Sequence, residues 1–178
     1  NFSDHEFSEA GAKVIYDIKE IYQADIIMKV EPPTLEEVDM MKGRQILISA
    51  LQITTQNQEY INKLLSKKIT ALAFEYIQDE LGTATIIRSM GEIAGNTSLL
   101  IASEYLSNIN NGKGLMLGGV SGVSPTEVVI VGAGTVGEFA TRAAIGLGAS
   151  VKVFDNSLSK LRRLQNDIKN RLFTSVIQ

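Results

Sequence analysis

Short apolar runs alternate with segments of helical period along this chain. In the first half, four such runs are predicted as strands, at residues 13–16, 26–30, 46–51 and 70–74. Strands that alternate with helices form parallel sheets, because each crossover helix returns the chain to the same end of the sheet. The pattern therefore predicts an α/β fold.

Two helix starts and one turn are legible between these runs. Ser3 with Glu6, and Thr34 with Glu37, have the spacing of a capping box, in which a hydroxyl and a carboxylate bind backbone amides reciprocally. Residues 79–82 read as a turn that closes the first block.

A long helix is predicted over residues 89–108, with two stripes of different character. We expect the apolar stripe to contact the core: Met90, Ile93, Ala94, Thr97, Ile101 and Tyr105. Beside it lies a stripe of small residues: Gly91, Gly95, Ser98 and Ala102. Because a glycine inside a helix costs about 1 kcal/mol relative to alanine, these small residues predict a close approach by another helix or by a ligand.

The richest motif is Gly132-Ala133-Gly134-Thr135-Val136-Gly137, directly after the apolar run 128–131 and before a helical segment. In this context the first glycine permits a tight turn, the second lets a pyrophosphate approach the backbone, and the third lets helix and sheet pack closely. The phosphates would lie on unpaired amides at the helix N-terminus. The motif predicts a dinucleotide site.

Asp155 ends a second predicted strand at 150–154. A carboxylate at this place accepts hydrogen bonds from the hydroxyls of an unphosphorylated ribose and repels a 2′-phosphate, which favours NAD over NADP. Lys160 lies five residues later and would weaken that preference if it neutralised a phosphate. As an alternative, Lys160 belongs to a solvated helix surface.

Composition narrows the class of protein. The chain has 178 residues, 44% of them apolar, a net charge of −3 and no cysteine. This balance predicts a globular cytoplasmic protein with no membrane span, no nucleic-acid partner and no thiolate metal site. His5 is expected on an exposed helix, and Glu36, Glu37 and Asp39 on a solvated helix face, so no metal is predicted.

Several blocks together resemble the alanine dehydrogenase family, which is related to the NAD-binding subunit of proton-translocating transhydrogenase. The resemblance rests on the order of residues 90–95, residues 114–123, the glycine motif and Asp155. Earlier segments extend it over essentially the whole chain: residues 2–4, 10–12, 29–30 and 45–47.

The resemblance implies a small-molecule reaction, in which NAD oxidises L-alanine to pyruvate and ammonia reversibly. It also implies a homo-oligomer, usually a hexamer, whose two parallel-sheet domains flank a cleft. Residues 1–87 would be part of a flavodoxin-like substrate domain, and residues 88–178 would be part of a Rossmann NAD-binding domain that includes the connecting helix. The chain looks like an internal piece of such a protein, so we expect the piece alone to be inactive.

The chain departs from the family pattern at positions that the resemblance assigns to catalysis and substrate binding. Where the family has a catalytic histidine, this chain has Gln52, which forms hydrogen bonds but exchanges no proton near neutral pH. Where the family has a substrate-binding lysine, this chain has Glu31, whose charge would repel a carboxylate substrate. Lys29 would share a face with Glu31 if the strand continued, so it is an alternative ligand. Gly91 replaces a serine that lies beside the nicotinamide.

Three functions remain open at this point. The first, which we favour, is an NAD-dependent alanine dehydrogenase-like enzyme whose activity is weakened at Gln52 and Glu31. The second is an NAD-binding subunit that passes hydride to a partner, as in transhydrogenase, and this needs no catalytic histidine. The third is a non-catalytic NAD-binding homologue.

Overall fold

The computed structural model describes residues 2–170 and 172–177. The chain divides into two compact units, Asn1–Ala84 and Thr85–Gln178. Each unit contains one three-stranded sheet in which all strand pairs are parallel. The predicted α/β class with two parallel sheets is confirmed, whereas the assignment of residues 1–87 and 88–178 to substrate and NAD-binding domains stays a prediction.

The first unit is built on a sheet of order β1-β2-β3. Its strands are β1 (Ile26–Met28), β2 (Ile46–Ser49) and β3 (Thr70–Ala73). Its helices are α1 (Asp4–Glu9), α2 (Ile18–Ile21), α3 (Leu35–Met40) and α4 (Gln58–Ser66), and a 3₁₀ turn, Phe74–Tyr76, follows β3. The central strand supplies the core, since Leu47 of β2 and Val38 of α3 are both fully buried.

Both predicted capping boxes are present in this unit. The Ser3 hydroxyl accepts from the Glu6 amide at the start of α1, and the Thr34 hydroxyl accepts from the Glu37 amide at the start of α3. The turn at 79–82 is also confirmed, because the Gly82 amide donates to the Asp79 carbonyl.

The strand predicted at residues 13–16 is wrong. This segment has no regular secondary structure and pairs with no strand in the described part of the chain. Lys13 and Tyr16 are exposed and only Val14 and Ile15 are partly buried. Four apolar or amphipathic residues do not make a strand without backbone pairing to a neighbour.

The second unit has the order β4-β5-β6. Its strands are β4 (Glu127–Val131), β5 (Ser150–Asp155) and β6 (Phe173–Val176). Its helices are α5 (Thr85–Leu106), α6 (Thr135–Gly146) and α7 (Leu158–Asp167), and a 3₁₀ turn, Asn108–Asn110, follows α5. Strand β6 was not predicted, because Phe-Thr-Ser-Val carries too short and too polar a pattern to stand out.

Helix α5 begins four residues earlier than predicted and buries a different face. Gly95 and Leu99 are its buried residues, whereas Ile93 and Tyr105 are 67% and 72% exposed. The predicted core contact of the apolar stripe is therefore wrong. Helix α6 packs against the two glycines of the small stripe: a Cβ atom at Gly95 would lie 2.5 Å from the Val136 carbonyl oxygen, and one at Gly91 would lie 3.3 Å from Cγ2 of Thr135. Ser98 and Ala102, the other two members, are exposed.

Helix α5 is also the longest helix, with 22 residues. Neither α5 nor any other helix within residues 2–170 and 172–177 is long and apolar enough to cross a bilayer.

Candidate nucleotide-binding and substrate sites

The turn between β4 and α6 leaves open space around its first two glycines. Gly132 has φ +109°, in a region that side chains of other residues rarely adopt. Gly134 is the N-cap of α6, and no side chain caps that helix end. A Cβ atom built on either glycine would meet nothing within 4 Å. The start of α6 therefore presents its backbone to free space, the arrangement that suits a phosphate.

The third glycine of the motif serves packing. A Cβ atom at Gly137 would overlap the carbonyl oxygen of Gly132 and lie 3.6 Å from Cγ2 of Ile130. Gly137 is buried in the first turn of α6. The helix thus rests directly on the turn from which it starts, and a larger residue would force the two apart.

Asp155 connects the end of β5 to this turn. Its Oδ2 accepts a hydrogen bond from the Ala133 amide at 2.6 Å, and its Oδ1 accepts one from the Ser157 amide at 2.7 Å. These bonds, the Ala133 bond foremost, hold the pKa of Asp155 below its ordinary value because they stabilise the carboxylate. Each oxygen retains acceptor capacity for a further donor.

Lys160 lies close to this carboxylate. Helix α7 is capped by Ser157, whose hydroxyl accepts from the Lys160 amide at 3.5 Å. The Lys160 side chain is exposed, and its positive charge contributes to the lowered pKa of Asp155. The fold therefore brings Asp155 and Lys160 together, while their roles toward a cofactor stay predictions.

Gly91 lies where α5 meets the start of α6. A Cβ atom at Gly91 would lie 3.3 Å from Cγ2 of Thr135 and 3.5 Å from Cγ2 of Val136. Gly91, Thr135 and Val136 are thus neighbours beside the glycine turn. Of the two explanations for the small residues of α5, the approach of another helix accounts for the contacts that the structure describes.

Gln52 follows β2 and has a left-handed backbone conformation, with φ +48°. Such a conformation costs a residue other than glycine about 1–2 kcal/mol. Glu75, in the 3₁₀ turn after β3, compensates: its carboxylate accepts from the Leu51 amide at 3.1 Å and from the Gln52 amide at 2.7 Å. The Gln52 side chain is exposed. Backbone strain of this kind is concentrated at functional sites.

Lys29 points to α3 and pairs there with Glu37 at 2.5 Å, the two side chains being 30% and 23% exposed. The prediction that Glu37 belongs to a solvated face with Glu36 and Asp39 is therefore wrong for Glu37. Burial alone would raise the pKa of Glu37, but bonds from Lys29, the Thr34 amide and Tyr22 outweigh it and lower that pKa.

Glu31 lies in the bend after β1 and is exposed. Strand β1 ends at Met28, so it does not continue through Lys29 and Glu31 as the shared-face argument required. For Lys29 to bind the substrate in place of a lysine at position 31, its ion pair with Glu37 would have to break.

Two carboxylates that were not predicted as site residues, Glu75 and Glu138, lie at these two places. Glu75 holds the Gln52 backbone, as described above. Glu138, in the first turn of α6, is only 6% exposed and pairs with Arg142 at 2.9 Å and with Arg163 of α7 at 3.9 Å. The position of Glu138 directly after the glycine motif was the available signal for it. Because a carboxylate is seldom buried without partners, one in this place indicates nearby basic residues.

Two family models account for nearly all of the chain. The model "Alanine dehydrogenase/PNT, N-terminal domain" matches residues 1–94, and "Alanine dehydrogenase/PNT, C-terminal domain" matches residues 98–178. The chain belongs to the alanine dehydrogenase/PNT family. The resemblance that the motifs indicated is thereby confirmed.

Curated members of this family align over almost the full chain. The chain is 38% identical to the alanine dehydrogenase of Methanococcus maripaludis and 34% identical to that of Mycolicibacterium smegmatis, over 173 residues in each case. Each alignment covers 97% of this chain and 46% of the relative. The chain therefore spans about half the length of the curated relatives it matches.

Solved structures of the family share the fold. The chain superposes on an L-alanine dehydrogenase with a TM-score of 0.83 and 32% identity, covering 99% of this chain and 49% of that one. A transhydrogenase from Sinorhizobium meliloti gives a TM-score of 0.75 at 22% identity, with 97% of this chain and 51% of that one covered. The second likeness concerns the fold alone.

Proposed function

We propose that this chain forms the NAD-binding part and a portion of the substrate part of an alanine dehydrogenase-like oxidoreductase, which interconverts L-alanine with pyruvate and ammonia. Family membership supports the reaction class. The observation that carries the proposal is the glycine turn: free space at Gly132 and Gly134, an uncapped helix start, and Asp155 bound to the same turn.

The residues at this turn fit a dinucleotide. Gly132 and Gly134 leave room for a pyrophosphate, and the backbone at Thr135 and Val136 begins the helix whose N-terminal amides favour an anion. The Asp155 carboxylate retains acceptor capacity for ribose hydroxyls. Gly91 would border the nicotinamide side of this site.

Asp155 favours NAD over NADP in this proposal. It is ionised over the whole neutral range, because its pKa is lowered, and a carboxylate repels a 2′-phosphate. The nearby Lys160 opposes this repulsion but is exposed, so its charge is screened by water and salt. We therefore expect a preference for NAD that Lys160 reduces without reversing.

NAD, when bound, supplies the acceptor for a hydride from the α-carbon of alanine. The substrate side must also orient the substrate and move protons as the amine is converted to a carbonyl and ammonia. Gln52 can donate a hydrogen bond to a substrate carbonyl or accept one from an amine, but it has no titratable proton to exchange. Glu31 places negative charge where a substrate carboxylate is expected. We infer that alanine turnover is slow.

Gln52 also supports a second candidate function, the binding of NAD(H) for hydride transfer to a partner, as in the transhydrogenase subunit. Hydride transfer between two nicotinamides involves no proton shuttle, so a glutamine costs such a protein nothing at this position. Nicotinamide-to-nicotinamide transfer in the absence of alanine, with no alanine oxidation, would favour this second function. NAD binding without either reaction would favour a non-catalytic homologue.

Calorimetric titration of the chain with NAD⁺ and NADP⁺ tests the cofactor proposal, with Gly134→Val as the blocking variant. Gly134 has φ −80°, which valine also adopts, and its Cβ would enter only the free space. We expect Gly134→Val to lose NAD⁺ affinity while its unfolding midpoint changes little. Gly146→Ala, whose added Cβ also meets nothing within 4 Å, is the matched control in the same helix. Equal NAD⁺ affinity in all three proteins, or none in the unmodified chain, would reject the site.

A further inference from the structure

Both backbone polar groups of Ala133, inside the glycine turn, are hydrogen-bonded. The N–H, in the peptide that joins Gly132 to Ala133, donates to Asp155 at 2.6 Å. The carbonyl oxygen, in the peptide that joins Ala133 to Gly134, accepts from Nη2 of Arg163 at 3.5 Å. Ala133 itself is completely buried.

Glu138 sets the position of the Arg163 guanidinium. One carboxylate oxygen of Glu138 accepts from Arg142 at 2.9 and 3.2 Å, and the other lies 3.9 Å from Nη2 of Arg163. The Glu138 side chain is 8% exposed, whereas those of Arg142 and Arg163 are 42% and 51% exposed, so water and salt reach both ion pairs from the arginine side. Two guanidinium groups and one carboxylate leave a net positive charge beside the start of α6.

We propose that Arg163 is a positioning residue for the nucleotide-binding turn, and that buried Glu138 aims it at the Ala133 carbonyl. The inference rests on the proposed NAD function. The peptide between Ala133 and Gly134 is planar and carries both the Ala133 carbonyl and the Gly134 amide, so holding that carbonyl sets the direction in which the chain enters Gly134 and α6. Fixing the N–H and the carbonyl of Ala133 holds two successive peptides of the turn. This pre-organises the amides that meet a pyrophosphate, and less ordering remains for the moment of binding.

A simpler role for Arg163 makes a different prediction. If it only neutralised buried Glu138, removing the charge of Glu138 would make Arg163 dispensable, since the cost of Arg163 loss would be a buried carboxylate paired with Arg142 alone. If it holds the turn, the Arg163→Ala defect persists in the Glu138→Gln background. The double-mutant cycle therefore separates the two roles.

The experiment compares Arg163→Ala, Glu138→Gln and the double variant, with Arg162→Ala as the matched control. Arg162 is the preceding residue and is also exposed, and replacing it removes the same charge. It forms no hydrogen bond or ion pair with the residues that the structure describes. The first readout is amide hydrogen exchange at Ala133 without nucleotide. The second is the affinity for NAD⁺, ADP-ribose and adenosine, of which adenosine alone lacks a pyrophosphate.

We expect Arg163→Ala to accelerate Ala133 exchange by about threefold to tenfold, the range of one net hydrogen bond, and to weaken NAD⁺ and ADP-ribose by a similar factor. Adenosine affinity should hardly change, and Arg163→Lys should recover part of the loss. The double variant should retain the defect, and Arg162→Ala should match the unmodified chain.

The proposal is overturned if Ala133 exchanges at the same rate in Arg163→Ala and Arg162→Ala. It is also overturned if the double variant returns to the exchange rate and the NAD⁺ affinity of the unmodified chain. A parallel loss for adenosine also overturns it, because a general structural defect would then explain the data. A failure of the unmodified chain to bind NAD⁺ would reject the proposed function. The exchange data would still decide the role of Arg163, because exchange is measured without ligand.

Discussion

The carboxylate of Glu75 accepts a 2.7 Å hydrogen bond from the backbone amide of Gln52, a residue held at φ +48°. The same carboxylate accepts from the preceding amide of Leu51. Two consecutive parallel strands are therefore joined just beyond their carboxyl ends, the edge at which ligands bind in α/β proteins. The position at which the family resemblance implies a catalytic histidine is thus fixed by its backbone, whatever its side chain does.

Replacing Glu75 with alanine should lower the free energy of unfolding by about 1–3 kcal/mol, because two backbone donors lose a charged acceptor. Glu75→Gln should behave similarly, since an amide offers only one oxygen. Gln52→Gly relieves the left-handed strain, so the loss from Glu75→Ala should be smaller in that background. Urea unfolding of the unmodified protein, Glu75→Ala, Gln52→Gly and their double variant measures this coupling. Strictly additive losses would mean that Glu75 does not support the Gln52 conformation.

Local chemistry explains which elements the sequence predicted. The turn at Gly132 follows from glycine at a positive φ between a strand and a helix, and the caps at Ser3 and Thr34 follow from side chains that bind amides three residues away. Each of these interactions lies within a few residues of chain. Such features are decided by the sequence nearby and need no knowledge of the rest of the fold.

The predictions that were wrong or missing depend on contacts between residues far apart in the sequence. Glu37 was expected in solvent, but it is partly buried and pairs with Lys29, which directly follows β1. Helix α5 was expected to bury its larger residues, but close approach of α6 selected the face with Gly95. Glu75 was overlooked because its partners lie more than 20 residues away in the chain.

The contact between α5 and α6 predicts opposite effects for two similar substitutions. Gly95→Ala places a Cβ atom 2.5 Å from the Val136 carbonyl oxygen and 2.7 Å from Cβ of Phe139, so the helices must separate. We expect a loss of about 1–3 kcal/mol. Gly146→Ala meets nothing within 4 Å and should be neutral or stabilise by up to about 1 kcal/mol, because alanine favours a helix. Urea unfolding compares them, and an equal effect of both changes would contradict this packing.

Asp155 should make stability depend on pH in the acid range. Its pKa is lower in the folded protein than the value of about 3.9 in an unfolded chain, so its contribution is present above about pH 4. That contribution disappears as the pH falls through the lowered folded pKa. Asp155→Asn should therefore be less stable than the unmodified chain at pH 7, and the difference should shrink below pH 4. Urea unfolding across this range measures it, and a difference independent of pH would show that the carboxylate charge is not the cause.

The strongest test of the proposed chemistry introduces the two side chains that the family resemblance implies at positions 52 and 31. Gln52→His supplies a group that titrates near neutrality, and Glu31→Lys replaces a repulsive charge with an attractive one for a substrate carboxylate. Both positions are exposed, so neither change disturbs the core. Because a positioned acid or base contributes about 10²- to 10⁴-fold, we expect the double variant of the full-length protein to oxidise L-alanine faster by a factor within that range.

Initial rates of NADH formation against pH provide the measurement, with each single variant as a control for the other. The Gln52→His variant should show a rate that rises as the introduced imidazole loses a proton, whereas the unmodified protein should lack that step. Rapid alanine oxidation by the unmodified protein, with a pH profile governed by one group near neutrality, would mean that another residue moves the proton. Gln52 would then orient the substrate without limiting the reaction, and the weak activity inferred from it would be wrong.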